Sequence, residues 1–183
     1  MNPEEARTLM MEWVASPSLR THMECVAACM DAYCAGDTNV HDDWVVAGLL
    51  HDFDYEKHPT AKEHPFVGVE YLQNNTDVGD EIINAILGHA AYTGVKRTAD
   101  MAKTLFAVDE LAGFIVACAL VRPTGLDGMK AKSVKKKLKN KNFAAAVSRE
   151  DIEIGIQELN VEIDEHINKC IDAIQKSGID IRG

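Results

Sequence analysis

Apolar positions recur every three or four residues along most of this chain, and that period predicts helices almost throughout. Pro3-Glu4-Glu5 opens a first helix running to about Ala15. Ser16-Pro17 reads as an N-cap followed by proline at the first helical position. The helix it starts carries Leu19, Met23, Val26, Met30 and Tyr33 on one side, and Ala35-Gly36-Asp37 stops it. A third helix is expected from about His41 to Asp54, a fourth after Glu63-His64-Pro65 with Val69 and Leu72 inward, and a fifth from Asp80 to His89. A long helix spans roughly Thr98 to Val121 and ends before Arg122-Pro123. A lysine-rich helix follows, then a short one that Ser148-Arg149-Glu150-Asp151 begins as a capping box. The last helix aligns Ile163, Ile167, Cys170, Ile171 and Ile174. No strand-like alternation persists. The fold class expected is all-α: a single domain over residues 1–183, with a core over 16–123 and a helical extension over 124–183 packed on it.

Composition narrows the setting. A chain of 183 residues, 46% hydrophobic and 26% charged, suits one soluble domain. No apolar stretch approaches the roughly 18 residues of a membrane span. The acidic N-terminus lacks the basic and apolar regions of a signal peptide. Five cysteines, an odd number set mostly in apolar helical patterns, point to reduced thiols in a cytoplasmic protein. A net charge of −10 argues against binding a nucleic-acid polymer. The charge is uneven: seven lysines and no acid lie between Lys130 and Lys141, so the −10 of the whole chain becomes −17 for the remainder. Such a patch suits a solvated helix face or the attraction of a phosphorylated small molecule. The acidic surface and the apolar final helix permit a homodimer.

The candidate chemistry begins where an apolar run ends. Trp44-Val45-Val46-Ala47-Gly48-Leu49-Leu50 leads directly into His51-Asp52. Two ionisable side chains at the end of a buried helix need a partner, a hydrogen-bond network or a metal. Asp109 lies on the stripe of Leu105, Val108, Ala112 and Val116; His89 follows Ile82 and Ile86; His22 sits between Leu19 and Val26; His64 stands at a helix entrance. Singly, each has an ordinary reading, as a core imidazole, a paired carboxylate or a cap. Together they read as imidazole and carboxylate ligands, a set that suits Fe, Mn, Zn or Mg rather than a thiolate-bound ion. Cys25 and Cys29 follow His22 at helical spacing, but cysteine is a common small buried residue and they read better as core.

With those residues in order, His22, then His51-Asp52, then Asp109, the chain resembles the HD superfamily of metal-dependent phosphohydrolases over roughly Ser16 to Pro123. His64-Pro-x-x-Gly68 and Ala85-Ile86-Leu87-Gly88-His89 resemble its two-metal branch, which includes HD-GYP-like phosphodiesterases and symmetrical dinucleoside tetraphosphate hydrolases. That resemblance implies a first metal on His22, His51, Asp52 and Asp109, and a second on His64 and His89 with Asp52 bridging. The cofactor implied is one or two divalent ions: Fe, Mn, Mg, Zn or Co. Two departures stand out. Tyr55 occupies a position where the two-metal relatives often carry a lysine that meets substrate phosphate, and the Gly-Tyr-Pro signature is missing after His89.

The activity expected is hydrolysis of a small phosphorylated metabolite or nucleotide by a metal-activated hydroxide. Asp54 and Glu56 are candidates to relay a proton beside Asp52. Arg97, Lys103, Arg122, Lys135 and Lys136 are candidates to bind substrate phosphate. Two other readings use the same ligands: a di-iron oxygenase acting on polyols or phosphonates, and a non-catalytic metal-containing ligand sensor.

Overall fold

The computed structural model describes residues 1–34 and 40–182. The helix stop expected at Ala35-Gly36-Asp37 lies outside these residues. All regular structure among the described residues is helical. In chain order the helices are α1 (Pro3–Trp13), α2 (Pro17–Cys34), α3 (His41–Leu50), α4 (Phe66–Asn75), α5 (Asp80–His89), α6 (Asp100–Leu120), α7 (Ala131–Leu138), α8 (Arg149–Leu159) and α9 (Ile163–Ser177). A short 3-10 turn at Ala91–Thr93 follows α5.

Two helices organise the rest. At 21 residues, α6 is about 30 Å long. It packs against α2, α5, α8 and α9, so it is buried well beyond the single stripe its sequence shows. The second organiser, α2, packs against α3, α6 and α9. One continuous apolar core takes side chains from every helix, with Met23, Met30, Leu49, Leu50, Ile86, Leu105, Leu111 and Ile115 fully enclosed. The stripe of α9 is buried in that core through Ile167, Cys170, Ile171 and Ile174, so it offers no free apolar face to a second copy. No helix among the described residues is long and apolar enough to cross a membrane.

Local rules explain the helix ends. Asn2 and Glu5 form a capping box at α1. The Ser16 hydroxyl accepts from Leu19 N–H at the start of α2. Ser148 caps α8 by accepting from Asp151 N–H, but the return bond comes from elsewhere: Ser148 N–H donates to the Glu110 carboxylate at 3.0 Å. Aspartate is one methylene shorter than the Glu or Gln of a full box. The sequence also suggests that α3 continues to Asp54. Instead the helix stops at Leu50 and the chain runs on in turns, with Tyr55 N–H bonded to Asp52 O and His58 N–H to Asp54 O. This early stop turns His51 and Asp52 toward α2 and α6. Close packing holds them there: a Cβ on Gly48 would lie 2.6 Å from Ala27 Cα, so only glycine lets α3 come this near α2.

Candidate metal centre

Six side chains from five segments meet at one place. His22 comes from α2, His51 and Asp52 from the end of α3, His64 from the turn before α4, His89 from the last position of α5, and Asp109 from the middle of α6. The apolar packing of α2, α3, α5 and α6 brings them together.

The donor atoms fall into two groups. In the first, His22 Nε2 lies 3.3 Å from His51 Nε2 and 3.0 Å from Asp109 Oδ1. His51 Nε2 is 3.4 Å from Asp109 Oδ1, and Asp52 Oδ2 is 3.6 Å from His51 Nε2 and 3.9 Å from His22 Nε2. In the second, His64 Nε2, His89 Nε2 and Asp52 Oδ1 form a nearly equilateral triangle, with sides of 3.2, 3.2 and 3.3 Å. Around an ion whose ligands sit at about 2.1 Å, neighbouring donors are about 3.0–3.4 Å apart. His22, His51 and Asp52 in the first group, and Asp52, His64 and His89 in the second, have spacings that could hold a metal ion; Asp109 lies beside the first. Asp52 turns one oxygen toward each.

The hydrogens on the far side of each ring sharpen the point. His51 Nδ1 faces the Gly48 carbonyl at 2.9 Å, His89 Nδ1 faces the Ile86 carbonyl, and His64 Nδ1 faces Asp54 Oδ1 at 2.7 Å. Those partners only accept, so each Nδ1 carries the hydrogen and each Nε2 turns inward. Inward-facing Nε2 atoms then approach one another in pairs, His22 with His51 and His64 with His89. A shared proton would serve one such contact at a time, whereas a cation at the centre accepts every lone pair of its group at once. Second partners of this kind are what fix metal-bound imidazoles.

The electrostatics agree. Burial disfavours charge on His51, yet Asp52 and Asp109 outweigh it and push the imidazole up to about 9. Burial likewise opposes charge on His64, and Asp52 and Asp54 raise it to about 9. Burial alone would raise Asp52, but His51, His64 and His89 hold it well below the usual carboxylate range. Asp109, partly buried, is held low by His51 and His22. The site demands positive charge, which protons or metal ions supply.

A cavity of about 430 Å³ opens onto both groups. Its wall includes Tyr55, Tyr92, Phe106, Glu110 and Asp151. Tyr55 meets the His64 ring edge-on, and Tyr92 Oη donates to the His64 carbonyl at 3.0 Å. Burial and the neighbouring Asp109 raise Glu110 to about 7.

No family model matches the chain, and no curated protein or solved structure matches it significantly.

The remaining expected site residues lie elsewhere. Asp54 does not face the cavity: it is buried behind His64 and accepts from His64 Nδ1 and from Gly68 N–H at 2.7 Å each, so it orients the His64 ring and is not placed to relay a proton. A Cβ on Gly68 would lie 2.9 Å from Asp54 Oδ2, so this contact needs glycine. Glu56 accepts from Ala15 N–H and Ser16 N–H ahead of α2, away from the cavity. Arg97 makes a two-pronged ion pair with Glu158, donates to Gly88 O and stacks on Phe106. Lys103 is half-buried on α6 near Glu158. Lys135 pairs with Asp164, while Arg122 and Lys136 line a different cavity. None of these five cations lines the cavity at the metal centre. A positive patch in sequence says nothing about which face of the fold it occupies.

Sequence reasoning missed Glu110, Tyr92, Phe106 and Asp151. Glu110 had a signal, its place directly after Asp109. Asp151 had none beyond its capping position. Cys25 and Cys29 are buried, and Cys29 Sγ faces the Cys170 carbonyl rather than the histidines.

Proposed function

We propose that this chain is a metal-dependent phosphohydrolase of the HD superfamily, acting on a small phosphorylated metabolite or nucleotide. One observation carries the reading: Asp52 offers one oxygen to each of two histidine groups whose Nε2 atoms all face inward. His22, His51, Asp52 and Asp109 would hold one divalent ion, and His64, His89 and Asp52 a second. When bound, such ions supply a hydroxide near neutral pH and neutralise charge on a phosphoryl oxygen.

The chain's own groups do the rest. Gly48, Ile86 and Asp54 keep the ligand imidazoles oriented through their Nδ1 hydrogens. Hydrolysis breaks the bond from phosphorus to the leaving oxygen, which takes up a proton. Glu110 and Asp151 are the acids of the cavity wall outside the ligand groups, and Glu110 is the one placed beside Asp109 to hold that proton. Tyr55 and Tyr92 stand at the mouth, half exposed, where they flank an entering substrate.

The test is direct. Purified protein loaded with Mn, Mg, Fe or Co is expected to release phosphate from at least one member of a broad phosphoester panel, and Asp52→Ala to abolish that release. Absence of turnover across the panel, with substrate-dependent oxygen uptake by an iron-loaded sample, would replace the hydrolase reading with an oxygenase one.

A further inference from the structure

The lysine run does not serve the metal centre, and its geometry gives it a different use. Ala131, Val134 and Leu138 anchor α7 to the core, with Val134 fully enclosed. Ser133, Lys136 and Lys137 follow one another at i, i+3 and i+4, so they share the adjacent face of the helix, and Asn140 lies just past its end. That face borders a cavity of about 510 Å³, whose opposite side is supplied by Cys118 near the end of α6 and by Arg122 just beyond it. Three cationic side chains, a hydroxyl and a carboxamide therefore converge on one concavity, with Met129 completing it. No carboxylate belongs to its lining among the described residues.

Two features separate this place from an ordinary solvated helix face. Lys135, one residue away, is neutralised by Asp164, while Lys136 and Lys137 are turned to the cavity side. Lys137 rests over the Phe143 ring, 4.4 Å from its centroid, and the Arg122 guanidinium is tied to Thr124 Oγ1 and the Asp127 carbonyl. Both cations are partly immobilised before any ligand arrives, which lowers the entropy lost on binding. The cavity shares no lining residue with the one at the metal centre.

We propose that this cavity between α7 and the end of α6 is a second ligand site that binds a small, multiply charged phosphoryl anion. The chemistry is general to a free phosphate ester, a polyphosphate or a lipid phosphate headgroup. A concave site with a hydroxyl and a carboxamide beside its cations favours a discrete small anion. The proposal does not depend on the metal centre being catalytic.

Inorganic pyrophosphate is the probe, titrated calorimetrically at about 0.15 M chloride, where interactions between exposed charges more than a Debye length apart are largely screened. Saturable binding is expected, with Lys136 and Lys137 protected from acylation in the unmodified chain as read by peptide mass spectrometry. Lys136→Gln with Lys137→Gln is expected to weaken binding at least about tenfold, since each removes a charge-assisted hydrogen bond. Asp52→Asn, which removes the carboxylate shared by the two histidine groups, is expected to leave the lysine-dependent binding step in place. Absence of saturable binding overturns the proposal. So does binding lost in Asp52→Asn and kept in the lysine variant, which would place the anion on the metal centre. Binding to phosphatidylserine vesicles without binding to pyrophosphate would assign the patch to a membrane surface and equally overturn it.

Discussion

His64 Nδ1 donates to Asp54 Oδ1 across 2.7 Å, in a pair that is almost wholly buried, and the other Asp54 oxygen accepts from Gly68 N–H. Asp54 therefore sets the direction in which His64 Nε2 points. Asp54→Asn preserves size but puts an amide donor against one of two N–H groups. Metal affinity of the His64–His89 group is expected to fall about 10- to 100-fold, as such second partners usually account for. The His22 group should keep its ion. Metal titration resolving two binding steps checks this, and a loss confined to the first group would refute the assignment.

Because Asp52 faces both groups, its removal differs from that of a ligand belonging to one. Asp52→Ala is expected to weaken metal binding at both. His89→Ala is expected to empty only the His64 side and leave about one ion per chain in place of two. Elemental analysis of gel-filtered protein gives the stoichiometry directly. Equal loss in both variants would argue for a single ion.

Without a bound metal, the protein is expected to lose stability as the pH rises. His51 and His64 hold their protons more tightly when folded than in an unfolded chain, where histidine titrates near about 6.5. Their contribution to stability is complete below that pH and is lost as the pH rises through about 9. Melting temperatures of chelator-treated protein should fall by several degrees across that window. Bound metal keeps the imidazoles neutral, so the loaded protein should show a flatter profile. A metal-free melting temperature that climbs over the same window would contradict the charge balance of the site.

Arg97 clamps three elements, joining Glu158 of α8, the Gly88 carbonyl beside His89 and the Phe106 ring on α6. Lysine keeps the charge but loses the fork and the flat stacking surface. Arg97→Lys is expected to destabilise the fold by about 1–3 kcal/mol, measured by denaturant unfolding. For any substrate found, its KM should stay near the unmodified value. A large KM change at unaltered stability would return Arg97 to a substrate-binding role.

Gly48 sets how close α3 lies to α2. In Gly48→Ala the new methyl meets backbone, which cannot rotate away. A loss of about 1–3 kcal/mol or more is expected from overpacking, against the gain alanine normally brings inside a helix. Thermal unfolding would show it, and an unchanged melting point would mean that the two helices have room to part.

Much of the fold was legible because helical period and capping chemistry are local. The α5 bounds, the proline-started α2 and the buried stripe of α9 follow from residues a few positions apart. The end of α3 was not, since nothing near Leu50 breaks a helix; only the folded chain shows turns beyond it, where His51 and Asp52 meet partners on α2 and α6.

Histidine shows the boundary most clearly. His89 and His166 both sit on apolar helical faces, and the sequence around them does not separate them. The structure does: His166 Nε2–H donates to the Ala107 carbonyl and its Nδ1 accepts from Tyr33 Oη, so both nitrogens are satisfied by the protein. One nitrogen of His89 is satisfied by Ile86, and the other is turned toward His64 and Asp52. The amino-acid sequence by itself determined the helical class, the core stripes and a short list of residues able to bind a metal. Only the tertiary structure decided which of them converge, that Asp54 stands behind His64, and that the lysines border a separate cavity. Helix formation reads neighbours along the chain, whereas a coordination sphere needs lone pairs from distant segments to meet within about 3–4 Å, and only packing brings them there.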